Sequence, residues 1–249
     1  MIRAYLPPAA WPETPLRASV VLDEAESKHL GSVMRVAAGA SVELLDGAGR
    51  IASAIVRDPH RKHIGLEIVD VRTLPQPAPR RVLALALVRE QQLDWIIQKA
   101  VELGTAEIRL IQTANAVVRL SADDFAKKLP RWTAVALAAC KQSGNAWLPV
   151  LKTAPSIAAA LALRADGETG AFGALRPGAV PYAEWLAAPA TAAATAHAVW
   201  IGPEGDFTPA ESDALAAADI APVTLGPIVL RVETAALFML TGLGLRAMA

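Results

Sequence analysis

Two patterns of hydrophobic and polar residues divide this chain. Over the first 75 residues, apolar and polar positions alternate in four segments, ASVVLD, ASVELLDG, RIASAIVRD and HIGLEIVDVRT, which Gly, Asp and Pro separate. Such alternation is typical of strands that bury one face, so we predict a small β-rich domain. The segment EAESKHLGSVMRV predicts one helix, capped by Asp23. On that helix three apolar residues are expected to share a face, Leu30, Val33 and Met34.

A proline-rich segment ends this pattern. LPQPAPRR, from Leu74 to Arg81, has prolines at three alternate positions, which resist both a helix and a central strand. We therefore predict two domains, residues 1–74 and residues 75–249.

After the prolines, strand and helix patterns alternate. RRVLALALV is a continuous apolar run of the kind that is covered on both faces, and EQQLDWIIQKAVELG follows with helical spacing and Gly104 as its C-cap. Further strands are predicted at EIRLIQT, TGAFGAL, HAVWIG and PVTLG. DDFAKKLPRWTAVALAACKQSG predicts one or two helices with a break near Pro130, and LPVLKT a connection into the helix SIAAALALRA. This order predicts an α/β domain with a mostly parallel sheet, whose ligands bind at the carboxyl ends of strands.

Composition and charge narrow the choice of function. The net charge is zero, but residues 80–152 carry 11 Lys and Arg against 6 Asp and Glu. A basic region fits a polyanionic partner and a solvated helix face about equally. A single cysteine and four scattered histidines predict neither disulfides nor a metal site. Without a long apolar run or a signal-peptide pattern, we expect a soluble cytoplasmic protein that does not enter membranes.

Two loops that follow strands are the candidate sites. In HAVWIGPEGDFTPAES, glycines at 202 and 205 precede a capping box of Thr208 and Glu211, so residues 202–207 form a tight loop. The glycine spacing alone favours a plain turn over a ligand loop, and it matches neither a dinucleotide nor a P-loop motif.

The second loop, in LGPIVLRVETAALF, carries two charges in apolar surroundings, Arg231 and Glu233. A charge removed from water needs a partner, so the two residues form either a structural ion pair or a ligand site. A helix that begins near Glu233 or Thr234 favours an anion at its N-terminus.

IGPEGDFTPAE together with LGPIVLRVETA resembles the signature pair of the RsmE family, methyltransferases of the SPOUT superfamily that modify N3 of a uridine in 16S ribosomal RNA. Three other blocks are similar to the family in the same order, HLGSVMRVAAGASVELLDGAG, DWIIQKAVELGTAEI and RWTAVALAACKQSGNAWLPV. The resemblance implies a PUA-like RNA-binding domain, then a parallel-sheet domain with a deep trefoil knot, and a homodimer that acts on 16S rRNA or the small ribosomal subunit.

The resemblance also implies an S-adenosylmethionine site in the knot. The cofactor-binding positions that it implies are Leu175, Ile201, Gly202, Pro203, Glu204, Gly205, Leu225, Gly226, Val229, Leu230, Arg231, Thr234 and Ala235. Arg231 and Glu233 are the catalytic candidates: the arginine faces the uracil oxygens or a phosphate, and the glutamate sets it in place or binds the cofactor side. The alternative is a buried pair that ties the loop to the helix.

Candidate RNA contacts are Arg3, Lys28, His29, Arg35, the segment 61–63, Lys141 and Gln142, for which a solvated surface or a helix end is the alternative. Trp147 is a candidate for base stacking, and Cys140 is expected to pack.

Three positions depart from the family pattern. Asp206 replaces a glycine, Asn145 replaces an arginine and Ile228 replaces a basic residue. Asp tolerates a left-handed backbone better than most residues, so Asp206 need only change the turn. Two alternatives stay open, a SPOUT enzyme that modifies another RNA atom and an RNA-binding assembly factor without catalysis.

Overall fold

The computed structural model describes residues 1–60 and 62–248, so the candidate Arg61 lies outside the described residues. The chain forms two compact units. The first contains residues 1–76 and 137–148, and the second contains residues 77–136 and 149–249. The first unit is therefore built from two separate segments of sequence, and the Pro-rich segment lies where its first segment ends.

The first unit contains a five-stranded sheet in the order β1-β3-β4-β5-β2. Its strands are β1 (Arg3–Tyr5), β2 (Ser19–Val21), β3 (Ser41–Leu45), β4 (Arg50–Asp58) and β5 (Gly65–Thr73). β1 pairs with β3 in parallel and the other pairs are antiparallel. Four strands match the predicted segments, whereas β1, which pairs in parallel with the distant β3, was missed.

The helix α1 (Glu24–Lys28) begins as predicted, because Asp23 Oδ1 accepts a hydrogen bond from the amide of Glu26 at 2.8 Å. It continues as a single π-helical turn over His29–Val33. Leu30 is buried, but Val33 and Met34 are exposed, so the predicted shared face is wrong. The wider turn changes the angular spacing after Leu30 and directs the two later side chains to solvent.

The second unit contains a seven-stranded sheet in which every pair is parallel, in the order β10-β12-β9-β11-β6-β7-β8. The strands are β6 (Arg80–Ala86), β7 (Glu107–Ile111), β8 (Val150–Ala154), β9 (Glu168–Gly173), β10 (Val180–Pro181), β11 (Ala196–Ile201) and β12 (Ile220–Thr224). The helices are α2 (Glu90–Glu102), α3 (Ala122–Ser143), α4 (Ile157–Leu161), α5 (Tyr182–Ala187), α6 (Pro189–Ala193), α7 (Pro209–Ala217) and α8 (Val232–Arg246). The predicted α/β domain with a parallel sheet is confirmed, and the trefoil knot stays a prediction.

Two predicted elements differ. α3 is one helix that includes Pro130, not two helices with a break. Phe125 and Trp132 are buried on either side of the proline, and this packing offsets the hydrogen bond that proline cannot donate. LPVLKT contains the strand β8, which lies at the edge of the sheet and, among the described strands, pairs with β7 alone. Polar residues are tolerated at such an edge, so the strand lacks the apolar run of its neighbours.

The end of α3 is bound to the first unit by two candidate RNA contacts. Arg3 forms an ion pair with Glu43 at 2.7 Å and donates to the carbonyl oxygens of Lys141 and Gln142 at 3.1 and 3.0 Å. Lys141 Nζ lies 2.5 Å from a carboxylate oxygen of Glu26. The two hydrogen bonds from Arg3 satisfy carbonyls in the last turn of the helix, which have no partner within it.

Two further residues of this segment pack in the first unit. The ring of Trp147 lies against Gly49, where a Cβ atom would come within 2.4 Å of it, and the indole nitrogen donates to the carbonyl of Pro75 at 3.2 Å. Trp147 is therefore held in place by packing. Cys140 is buried as expected, and burial raises the pKa of its thiol to about 12.

Buried charges cross the amino-terminal ends of the parallel strands. Arg109 is 1% exposed and lies 2.6 Å from a carboxylate oxygen of Glu107 and 2.8 and 2.6 Å from the two carboxylate oxygens of Glu168. Burial alone would raise the pKa of Glu107, but hydrogen bonds from Arg109 and Lys152 hold the pKa of this carboxyl below its ordinary value. Each buried charge is thus compensated by a neighbour. No helix in residues 1–60 and 62–248 is long and apolar enough to span a bilayer.

We predict that Glu168→Gln lowers the free energy of unfolding by about 3 kcal/mol, because it leaves the Arg109 charge partly uncompensated in a buried site. Urea unfolding of the purified variant measures the change. Glu184→Gln is the control, since Glu184 is exposed, and it should change stability by less than about 0.5 kcal/mol. Equal effects of the two substitutions would contradict this role for the buried pair.

Candidate functional site

A cavity of about 1270 Å³ opens at the carboxyl ends of the parallel strands in the second unit. The loops after β9, β11 and β12 form most of its wall, and the start of α2 and one residue of the loop after β7 form the rest. The residues implied as cofactor contacts that line this cavity are Leu175, Ile201, Gly202, Pro203, Glu204, Leu225, Gly226, Val229, Leu230, Arg231 and Ala235. Two implied contacts, Gly205 and Thr234, are not among the lining residues.

The first wall is the loop from β11 to α7. The predicted capping box is confirmed: Thr208 Oγ1 accepts from the amide of Glu211, and the Glu211 carboxylate accepts from the amide of Thr208. Asp206 has a φ of +59°, the left-handed backbone that its replacement of a glycine requires. Its carboxylate accepts from the amide of Phe207 at 2.7 Å. The departure at Asp206 is thus accommodated within the turn.

The second wall is the loop from β12 to α8. Gly226 has a φ of +127°, a conformation that glycine adopts without strain. Among the described residues other than its two chain neighbours, no atom lies within 4 Å of where its Cβ would be. The backbone here is open to a ligand. α8 begins at Val232, one residue before the predicted start, so its unpaired amide groups lie at the cavity.

Arg231 and Glu233 both line the cavity, but they do not pair with each other. Glu233 accepts a hydrogen bond from the side-chain amide of Gln92 in α2. Arg231 is exposed, and its guanidinium has no hydrogen bond or ion pair within residues 1–60 and 62–248. Arg231 and Glu233 thus do not form the buried ion pair that was the alternative, and the positive charge of Arg231 is accessible to a ligand.

Sequence reasoning missed part of the lining. The additional residues are Arg89, Gln91, Gln92, Trp95, Val117, Gly173, Ala174, Asp206, Ile228 and Val232. Arg89 is an exposed second cation at the N-cap of α2, three residues after the end of β6, and none of its side-chain atoms has a partner in the described parts of the chain. The sequence feature that could have identified Arg89 is a charge placed after the carboxyl end of β6, the strand that pairs with β11. The position of Trp95 on the cavity side of α2 has no comparable signal in the sequence.

The remaining candidate RNA contacts lie in the first unit. Lys28, His29 and Arg35 are exposed and make no ion pair among the described residues. The side chain of Gln142 is exposed, while its carbonyl is bound by Arg3. Lys28, His29 and Arg35 are therefore accessible to phosphates, in contrast to Arg3 and Lys141. In the described residues no group of three His, Cys, Asp or Glu side chains is placed to hold a metal.

Comparisons with known proteins agree with this architecture. Residues 75–244 match the family model of an RNA methyltransferase domain, and residues 22–69 match that of an RNA methyltransferase PUA domain. The chain is 30% identical over 227 residues to the ribosomal RNA small subunit methyltransferase E of Mycobacterium bovis, covering 91% of this chain and 86% of that one. It is 28% identical to the protein of the same name in Bacillus subtilis, covering 88% and 86%.

Solved structures are similar over nearly the whole chain. The ribosomal RNA small subunit methyltransferase E of Neisseria gonorrhoeae, bound to S-adenosylmethionine, has a TM-score of 0.85 and 26% identity, covering 98% of this chain and 96% of that one. A methyltransferase of Legionella pneumophila in complex with the same molecule has a TM-score of 0.84 and 26% identity, covering 96% and 95%. The chain therefore belongs to the ribosomal RNA small subunit methyltransferase E family, with a PUA domain before its RNA methyltransferase domain.

Proposed function

We propose that this protein methylates N3 of a specific uridine in small-subunit ribosomal RNA, with S-adenosylmethionine as the methyl donor. The observation that carries the proposal is that both signature loops of the family line one cavity. Family membership supports the reaction class, and the neighbouring structure bound to S-adenosylmethionine supports the donor.

The lining residues fit this donor in three respects. Apolar side chains such as Leu225 and Leu230 offer a surface for an adenine ring. The open backbone at Gly226 allows close approach, and the acidic side chains Glu204 and Glu233 provide acceptors for hydroxyl groups and attraction for a positive charge. When bound, S-adenosylmethionine supplies a methyl group on a positively charged sulfur.

Arg231 is the candidate for activating the uridine. Uracil N3 carries a proton and becomes nucleophilic only when that proton leaves, so a cation close to the ring oxygens lowers the cost of the resulting anion. Arg231 has its charge free for this task, and Arg89 provides a second free charge for the ring or an adjacent phosphate. Glu233, held by Gln92, takes the donor side of the site.

The PUA domain supplies further RNA contacts in this proposal. The segment that contains α1 and its π-helical turn carries two exposed cations, Lys28 and Arg35. It also carries the exposed His29, whose ring can form hydrogen bonds. Such contacts fix the register of RNA without reading bases. Because the substrate is ribosomal, we place the protein in the cytoplasm, where cell fractionation should recover it with small subunits.

Two measurements test the function. Isothermal titration should show S-adenosylmethionine binding to the purified protein, because the cavity is formed in the free chain. Mass spectrometry of small-subunit rRNA from cells that lack the gene should show the loss of one N3-methyluridine, restored by the cloned gene. If the protein binds the donor but the rRNA lacks a different modification, the enzyme methylates another RNA atom. If the protein does not bind the donor, it is a non-catalytic RNA-binding factor.

We predict that Arg231→Ala lowers turnover by about 100- to 1000-fold, the usual effect of removing one group that stabilises developing charge. The melting temperature should stay near that of the unchanged protein, because no group among the described residues depends on this side chain. The dissociation constant for S-adenosylmethionine should also stay near its original value, because the proposal directs the Arg231 charge to the uracil and not to the donor. Single-turnover methylation and titration measure the two properties. Arg131→Ala is the control, since Arg131 is exposed, pairs with Asp94 and does not line the cavity. Parallel losses of melting temperature and activity in the Arg231 variant would contradict a catalytic role.

We also propose that the protein is a homodimer through α2 and α8. These helices pack on each other and expose three large apolar side chains, Trp95, Phe238 and Leu245, at 42%, 49% and 65%. Such side chains on adjoining helices favour a self-complementary interface. Sedimentation equilibrium should give about twice the chain mass of 26.1 kDa, and Phe238→Glu should shift it towards the single chain. A single-chain mass for the unchanged protein at micromolar concentration would contradict the dimer.

A further inference from the structure

We propose that Asn115, in the loop between β7 and α3, is a positioning residue that holds the first cavity wall in its binding conformation. The inference rests on the proposed function, because the loop that it holds is the candidate methyl-donor loop. Asn115 does not itself line the cavity. It acts through the backbone of residues 205 and 206.

The contacts are specific for a side-chain amide. Asn115 Nδ2 donates to the carbonyl oxygen of Gly205 at 3.0 Å and to the carbonyl oxygen of Asp206 at 3.0 Å. An amide nitrogen carries two hydrogens, so one side chain binds both carbonyls at once. The two carbonyl oxygens need a side chain that donates two hydrogen bonds. Aspartate has the same shape as asparagine, but its carboxylate only accepts hydrogen bonds and cannot bind two carbonyl oxygens.

The absence of a side chain at Gly205 makes this contact possible. A Cβ atom at Gly205 would lie 3.2 Å from the Cβ of Asn115, closer than most such contacts. Gly205 was predicted to contact the donor, but it does not line the cavity. We infer that the glycine is needed so that Asn115 can approach the backbone of the loop.

The loop that carries Asn115 is itself braced. Arg119 donates to the carbonyl of Thr113 at 3.2 Å and also to that of Ala114, and the amide of Ala114 donates to Glu211 Oε1 at 2.8 Å. The other carboxylate oxygen of Glu211 caps α7. Asn115 therefore belongs to a loop that several side-chain hydrogen bonds hold in place.

Both of the loops that Asn115 joins contribute residues to the cavity wall. Gly202, Pro203, Glu204 and Asp206 line the cavity from the held loop, and Val117 lines it from the loop that holds it. A loop that is already ordered in its binding conformation loses less conformational entropy when the ligand binds. Loss of the two hydrogen bonds should therefore weaken donor binding more than it weakens the fold.

The test uses Asn115→Ala and Asn115→Asp in the full chain. Isothermal titration with S-adenosylmethionine should show a dissociation constant raised by about tenfold for alanine, as expected for the loss of two modest hydrogen bonds, and by more for aspartate. The KM for the donor should rise in the same order, while kcat at saturating donor stays within about twofold. Hydrogen exchange of the amides in residues 202–207 should become faster in the free protein.

Ser121→Ala is the matched control, because Ser121 makes hydrogen bonds with Asp124 at the end of the same connection and does not contact residues 202–207. It should leave donor binding unchanged. The positioning role would be overturned if both Asn115 variants bound the donor as tightly as the unchanged protein. It would also be overturned if Ser121→Ala weakened donor binding as much as Asn115→Ala does while lowering the melting temperature equally. Failure of the unchanged protein to bind the donor would instead overturn the proposed function.

Discussion

The parallel pairing of β6, β11, β9 and β12 is the constraint on which the candidate site depends. Parallel strands end on the same edge of a sheet, so segments that are far apart in sequence begin their loops side by side. The loops after these four strands contribute Arg89, Leu175, the 202–207 turn and the 225–231 turn to one cavity. No single loop could do so, because each one supplies only one wall.

The charged residues at the two ends of this sheet differ in burial and in partners. At the amino-terminal ends, Glu107 and Glu168 are buried, and both bind Arg109 from the middle of β7, which connects β7 to β9. At the carboxyl ends, Arg89 and Arg231 have no partners among the described residues and remain exposed. A buried charge has to be compensated by a partner for the fold to tolerate it, whereas an exposed charge without a partner at a cavity is available to a ligand. This contrast separates structural from functional arginines better than their sequence context does.

Much of the fold could be predicted from hydrophobic periodicity. Buried parallel strands such as β6 and β11 are continuous apolar runs, and the capping box at Thr208 marked the start of α7 from local chemistry alone. Elements that depend on tertiary contacts were not predictable: the edge strand β8 has little apolar signal, and Pro130 stays helical because of the packing around it. The same holds for the site. The two signature loops were found by motif, whereas Gln92, Trp95 and Asn115 take their positions from contacts between distant segments.

The division of α3 between the two units has a consequence for how the chain can be dissected. Residues 137–148 belong with residues 1–76, where Arg3 and Glu26 bind the last turn of the helix. A fragment that begins at Pro77 would carry this segment without the sheet that buries it, and a fragment that stops at Gln76 would lack the indole that covers Gly49. Neither unit is therefore one continuous stretch of polypeptide, so a truncation or a domain exchange has to keep residues 137–148 together with residues 1–76.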